Sequence, residues 1–85
     1  MNKPTLTFYT RKKCPLCDKA KAVIEELQTE VDFQLIEKDI DESDELTEKY
    51  GLMIPVVEID GEEVEYGYVN KFVISNRLQE KTSSI

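Results

Sequence analysis

The sequence contains no histidine and no tryptophan, and it holds only two cysteines, three glycines and three prolines in 85 residues. Two cysteines are too few for the disulfide framework of a small secreted domain. With so little glycine and proline there is neither a linker nor a low-complexity segment, and no internal repeat is found. Long apolar runs are missing too. Nothing approaches the roughly 18 apolar residues of a membrane span, and Met1-Asn2-Lys3-Pro4-Thr5 leads into a strand-like segment without the apolar stretch of a signal peptide. A cytoplasmic location without a membrane partner is therefore expected. Basic residues are scarce relative to acidic ones, eleven against eighteen, and the resulting charge of -7 argues against nucleic acid, whose phosphates would be repelled over most of the surface.

What remains reads as one globular domain spanning residues 1–85. Hydrophobic residues at 40% and charged residues at 34% exclude a disordered or fibrous chain. This length supports a single core that buries roughly 60 to 65% of the unfolded surface. The charge is unevenly spread. Between Tyr9 and Ala22 lie Arg11, Lys12, Lys13, Lys19 and Lys21 against one acid, Asp18, a local +4 that leaves -11 for the rest of the chain. Such runs are commonly just solvated faces, but this one encloses both cysteines, Cys14 and Cys17.

Thr5 to Thr10 alternates and is rich in β-branched and aromatic residues, a first strand with Leu6 and Phe8 on one face. Ala20, Val23, Ile24 and Leu27 then recur at helical spacing, which predicts an amphipathic helix over 15–28 with Pro15 in its first turn, where proline is tolerated. Residues 33–37 read as a second strand. Residues 39–43 form a polar loop offering Asp41 and Ser43 as helix caps, and a short helix follows with Leu46 and Tyr50 buried and Gly51 at its end. Residues 55–59 and 63–66 form a hairpin around Asp60-Gly61, with Glu63 and Glu65 lining one face of the last strand. A third helix over 69–80 should bury Val69, Phe72, Val73 and Leu78, and 81–85 should be a frayed tail. The order is βαβαββα, a four-stranded mixed α/β sheet with a parallel first pair and helices on both faces.

Two thiols three residues apart on a first helical turn are close enough to form a disulfide after modest adjustment. A cysteine at a helix N-terminus faces unpaired N–H groups and the positive end of the helix dipole, and Arg11, Lys12 and Lys13 add charge. Thiols in such settings have pKa values of roughly 3.5 to 7.5. Cys14, nearer the helix end and solvent, is expected to be the nucleophile, and Cys17, one turn in, the resolving thiol. Other readings are two buried core cysteines, or a metal site. One chain without histidine supplies only two of the four ligands of a structural zinc site, so a zinc or iron-sulfur centre would need a dimer sharing both pairs. Ile54-Pro55, on its own, reads as a trans proline opening an edge strand.

The run from Tyr9 to Cys17, the Ile54-Pro55-Val56 step and the element order together resemble the glutaredoxin-like proteins of the thioredoxin fold, over nearly the whole chain. Tyr50-Gly51-Leu52-Met53-Ile54-Pro55-Val56 and the Cys-Pro-Leu-Cys run are similar to the small bacterial glutaredoxin-like proteins with a Cys-x-Leu-Cys motif; a thioredoxin proper would carry tryptophan before its first cysteine. The resemblance implies a thiol-disulfide oxidoreductase acting through a Cys14–Cys17 disulfide, with no bound cofactor. It also implies a cis bond at Pro55, and thiol-substrate contacts from Arg11, Lys12, Lys13, Pro15, Leu16, Ile54, Pro55, Gly67 and Asn70. Partners would be a disulfide-containing protein or a small thiol such as glutathione, together with a reductant, acting on a monomer. The chain departs from the glutathione-using pattern where Leu16 replaces an aromatic residue and Asn70 replaces an acid, which removes the ionic attraction for the glutathione amine. A metal or iron-sulfur carrier, and a redox-inert binding module, are the alternative functions.

Overall fold

The computed structural model describes residues 3–82. Its elements are β1 (Thr5–Thr10), α1 (Pro15–Gln28), β2 (Gln34–Asp39), a 3-10 turn (Ile40–Glu42), α2 (Asp44–Tyr50), β3 (Val56–Ile59), β4 (Glu62–Tyr66) and α3 (Lys71–Thr82). The strands form one sheet in the order β2-β1-β3-β4. β1 runs parallel to β2, while β3 is antiparallel to both β1 and β4. This is the expected βαβαββα mixed sheet, with β1 at its centre.

Strand alternation divides the interior into two clusters. Leu6 and Phe8 of β1 and Val57 and Ile59 of β3 face one way, where they meet Cys17, Ala20, Ile24 and Leu27 of α1 and Ile74 and Leu78 of α3. Tyr9 and Val56 face the other way and pack with Ile40 and Tyr50, joined by half-buried Leu46. α1 and α3 thus cover one face and α2 the other.

Local chemistry accounts for most boundaries. α1 begins at Pro15 and ends at Gln28, as the spacing predicts. The β3–β4 turn is Asp60-Gly61, and both residues have positive φ (51° and 85°), as a two-residue type I′ hairpin requires. Asp60 is also held in place by β1: its carboxylate accepts from the Thr5 amide at 3.0 Å, and its own amide donates to the Thr5 carbonyl at 2.8 Å.

Several expectations need correction. β2 starts at Gln34, one residue late, and runs on to Asp39; Phe33 is buried just before it. The stretch after it is not wholly polar, since Ile40 is completely buried. Ser43 caps α2 by accepting from the Leu46 amide at 3.2 Å, but Asp41 caps nothing and pairs instead with Arg11. Gly51 closes α2 in ordinary helical geometry (φ -55°), not the left-handed conformation, and an added Cβ would come within 2.5 Å of the Thr47 carbonyl oxygen. β4 starts at Glu62, and a bulge opposite Val57 and Glu58 breaks the alternation that placed Glu63 and Glu65 on one face; Val64, the extra residue, packs against the main cluster. α3 starts at Lys71, not Val69, and its buried residues are Ile74 and Leu78, whereas Phe72 is 75% exposed. Lys81 and Thr82 are helical, and residues 83–85 of the expected tail, like the first two residues, lie outside the described residues.

Candidate redox site

Lys13 has a left-handed backbone (φ 57°) that turns the chain sharply at the end of the β1–α1 loop. Cys14 follows in extended geometry as the N-cap of α1, and Pro15 occupies the first helical position. The Cys14 sulfur accepts from the Cys17 amide at 3.2 Å, in the role a serine or aspartate oxygen usually takes at a helix start. The Cys14 carbonyl takes the first helical bond, from the Asp18 amide at 3.0 Å. The two sulfurs lie at disulfide distance, with Cα atoms 5.1 Å apart. The pair is asymmetric: Cys14 is half-exposed, and Cys17 is 2% exposed within the main cluster.

The surrounding charge differs from what composition suggests. Arg11 is taken up by Asp41, its Nη2 donating to Oδ1 at 2.6 Å and its Nε to Oδ2 at 3.3 Å. That hydrogen bond holds the Asp41 carboxyl below its ordinary range and raises the guanidinium further. Lys21 pairs with Glu37 at 3.3 Å. Lys12 and Lys13 are exposed in the loop just before Cys14. Asp41 thus offsets part of the positive charge expected around Cys14, since it pairs with Arg11 and also feels the Lys12 charge.

The remaining expected site residues fall into two groups. Pro15 and half-buried Leu16 flank the pair on α1. Ile54, Pro55, Gly67 and Asn70 lie outside the strands, in the segment before β3 and the connection between β4 and α3. The Ile54–Pro55 bond is cis, as the resemblance implied, and Gly67 (φ 75°) donates its amide to the carbonyls of Pro55 at 2.8 Å and Met53 at 3.2 Å. Ile54 packs against the same cluster as Cys14. Asn70 caps α3: its side-chain oxygen accepts from the amides of Phe72 at 2.8 Å and Val73 at 3.3 Å, and its own amide donates to Glu65 at 2.6 Å.

Sequence reasoning missed two arrangements. A cleft of about 250 Å³ lies between the start of α1 and the ends of β1 and β2, lined by residues including Thr10, Cys17, Lys21, Glu37 and Asp39. The only signal for it was the parallel pairing that sets Thr10 beside Asp39. On the opposite face, the Tyr9 and Tyr50 hydroxyls both donate to Glu58, at 3.2 and 2.7 Å, and their rings stack 4.4 Å apart. Burial first, then the Glu58 charge, raises Tyr9 to about 12; burial first, then the Glu58 hydrogen bond, raises Tyr50 to about 12. Among the described residues no group of three or more cysteine, histidine, aspartate or glutamate side chains is placed to hold a metal ion, and no helix is long and apolar enough to cross a membrane.

Known structures share this architecture. A variant of thioredoxin from Halobacterium salinarum superposes with a TM-score of 0.77 at 25% identity, covering 99% of this chain and 79% of that one. A protein from Nitrosomonas europaea matches at 26% identity and a TM-score of 0.77, over 91% of this chain and 93% of its own. One from X. campestris matches at 28% identity and a TM-score of 0.69, over 88% and 96%. A cysteine pair at disulfide distance on this fold fits a redox role. A family model also matches residues 5–81, and on that match this chain belongs to the glutaredoxin-like domain family (DUF836).

Proposed function

We propose that this protein is a thiol-disulfide oxidoreductase that reduces disulfides in a reducing compartment, the cytoplasm, through Cys14 and Cys17. The observation that carries this reading is the asymmetry of the pair: a half-exposed Cys14 whose sulfur accepts from a helix N-terminal amide, and a buried Cys17 at disulfide distance from it. In the reduced protein the Cys14 thiolate attacks one sulfur of a substrate disulfide and expels the other as a thiolate. Cys17 then loses its proton and attacks the Cys14 sulfur, breaking the bond to substrate and releasing a second thiolate. Two electrons have passed to the substrate, and an external dithiol, or two equivalents of a thiol, restores the pair.

A protein disulfide suits this site better than glutathione as the physiological substrate. The Arg11 guanidinium is engaged by Asp41, and the Asn70 side-chain oxygen by the first amides of α3. Two Arg11 donors and the Asn70 oxygen are thus already committed within the chain, which weakens the grip on a tripeptide that the glutathione-using pattern requires. We assign no bound cofactor to the exchange and take the monomer as the working unit.

Alkylation with iodoacetamide against pH is expected to show Cys14 titrating below the roughly 8.5 of a free thiol, and Cys14→Ser to abolish disulfide reduction. A Cys14 titrating at the free value would sink the activation argument. Cys17→Ser is expected to stall at a mixed disulfide that identifies the partner. Stoichiometric metal in anaerobically purified dimers would move the reading to a carrier.

A further inference from the structure

Cys17 presents a chemical problem that Cys14 does not. To resolve the mixed disulfide it must shed a proton, yet it is 2% exposed in an apolar cluster, where burial disfavours the thiolate. The opening beside it is the cleft between α1 and β2, whose wall it shares with Thr10, Asp18 and Asp39. A cleft of about 250 Å³ has room for several waters.

Three carboxylates line that cleft. Glu37 is paired with Lys21 at 3.3 Å, and Asp18 is exposed in the first turn of α1. Asp39 is half-buried at the end of β2 beside Thr10, fixed by one oxygen: Oδ1 accepts from the Asp41 amide at 2.9 Å. No hydrogen bond to Oδ2 is found among the described residues, and the Arg11 charge acts on this carboxylate through space. From this placement we propose that Asp39 takes the proton from Cys17, through water in the cleft, as Cys17 attacks the mixed disulfide. The inference rests on the redox reading above and assigns this residue a role in its second step.

The Cys17 S–H bond breaks and its proton passes through water to the Asp39 carboxylate. The Cys14–Cys17 bond forms as the Cys14–substrate bond breaks, and the electron pair leaves on the substrate thiolate. Asp39 then returns its proton to solvent or to that thiolate. Run in reverse, the same group supplies a proton to Cys17 as it leaves. The charged groups facing the cleft are Arg11 and Lys12 from the β1–α1 loop, Asp18 and Lys21 from α1, and Glu37 from β2. Arg11 interacts electrostatically with Asp39 as well as with Asp41.

Stopped-flow reaction with a chromogenic aryl disulfide, dithiobis-nitrobenzoate, separates the steps, because the first aryl thiolate reports Cys14 attack and the second reports Cys17. Asp39→Asn keeps an oxygen for the Asp41 amide but cannot take a proton. It is expected to slow the second phase at least about ten-fold near neutral pH, to leave the first within about two-fold, and to converge on the wild type at high pH, where Cys17 ionises unaided. Asp39→Glu should restore part of the second phase, whereas Asp18→Asn and Glu37→Gln should leave it within about two-fold. A second phase in Asp39→Asn that follows the wild type at every pH overturns the proposal. So does an equal slowing of both phases, or a loss produced instead by Asp18→Asn or Glu37→Gln. Absence of both phases in the wild type would reject the redox reading itself.

Discussion

Glu58 accepts hydrogen bonds from two tyrosines on the face of the sheet away from the cysteines, and it gives the molecule an alkaline limit. Tyr9 and Tyr50 are both raised to about 12, so their contribution to stability is intact below the ordinary tyrosine value of about 10 and is lost as pH climbs through 12. Denaturant unfolding is expected to show a loss on the order of 2 kcal/mol for each tyrosine between about pH 9 and pH 12. Glu58→Gln, which removes the neighbouring charge, should shift tyrosinate formation to lower pH in near-ultraviolet titration. Asp41 acts in the opposite direction. Its folded value is depressed by Arg11, so its contribution is present above the usual carboxylate range and lost as acid protonates it, and Arg11→Ala should make acid unfolding start at higher pH. At this scale the cysteines, Pro15 and the Asp60-Gly61 turn were legible because their chemistry is local. The Arg11–Asp41 pair and the Glu58 acceptor were not, since each joins residues far apart in the chain, and a strand glutamate followed by isoleucine looks like ordinary alternation.

α1 and α3 show why one helix was readable from end to end and the other was out of phase. α1 carries a proline start, a clear apolar stripe and charge on the remaining surface, so its limits and its buried Ala20, Ile24 and Leu27 follow from spacing. α3 is weakly amphipathic. Phe72 and Val73 precede Ile74, three apolar residues in a row, and which of them faces inward is set by the Asn70 cap and by Lys71, which binds Glu26 of α1 and Glu30 just beyond it at 2.6 and 2.8 Å. Ile74→Ala or Leu78→Ala should cost about 2 to 5 kcal/mol, whereas Phe72→Ala should stay within about 0.5 kcal/mol; chemical denaturation distinguishes the two. Removing the cap with Asn70→Ala should cost about 1 kcal/mol.

Across the whole molecule, the redox pair sits on a fold that does not depend on it. Fifteen hydrophobic residues are buried in the described structure, and the Cys14–Cys17 link closes a loop of only a few residues. Closing so short a loop constrains the unfolded chain by no more than about 2 kcal/mol, so dithiothreitol should lower the denaturation midpoint without changing the far-ultraviolet dichroism. The two packed faces are less independent than strand alternation suggests. Ile54, next to the cis proline, packs against the cluster around Phe8 and also against the one around Tyr50. It therefore acts as a thermodynamic rivet through the sheet: with Ile54 in place the α2 face and the cysteine face should exchange amide hydrogens as one cooperative unit, and with alanine there the α2 face should open on its own.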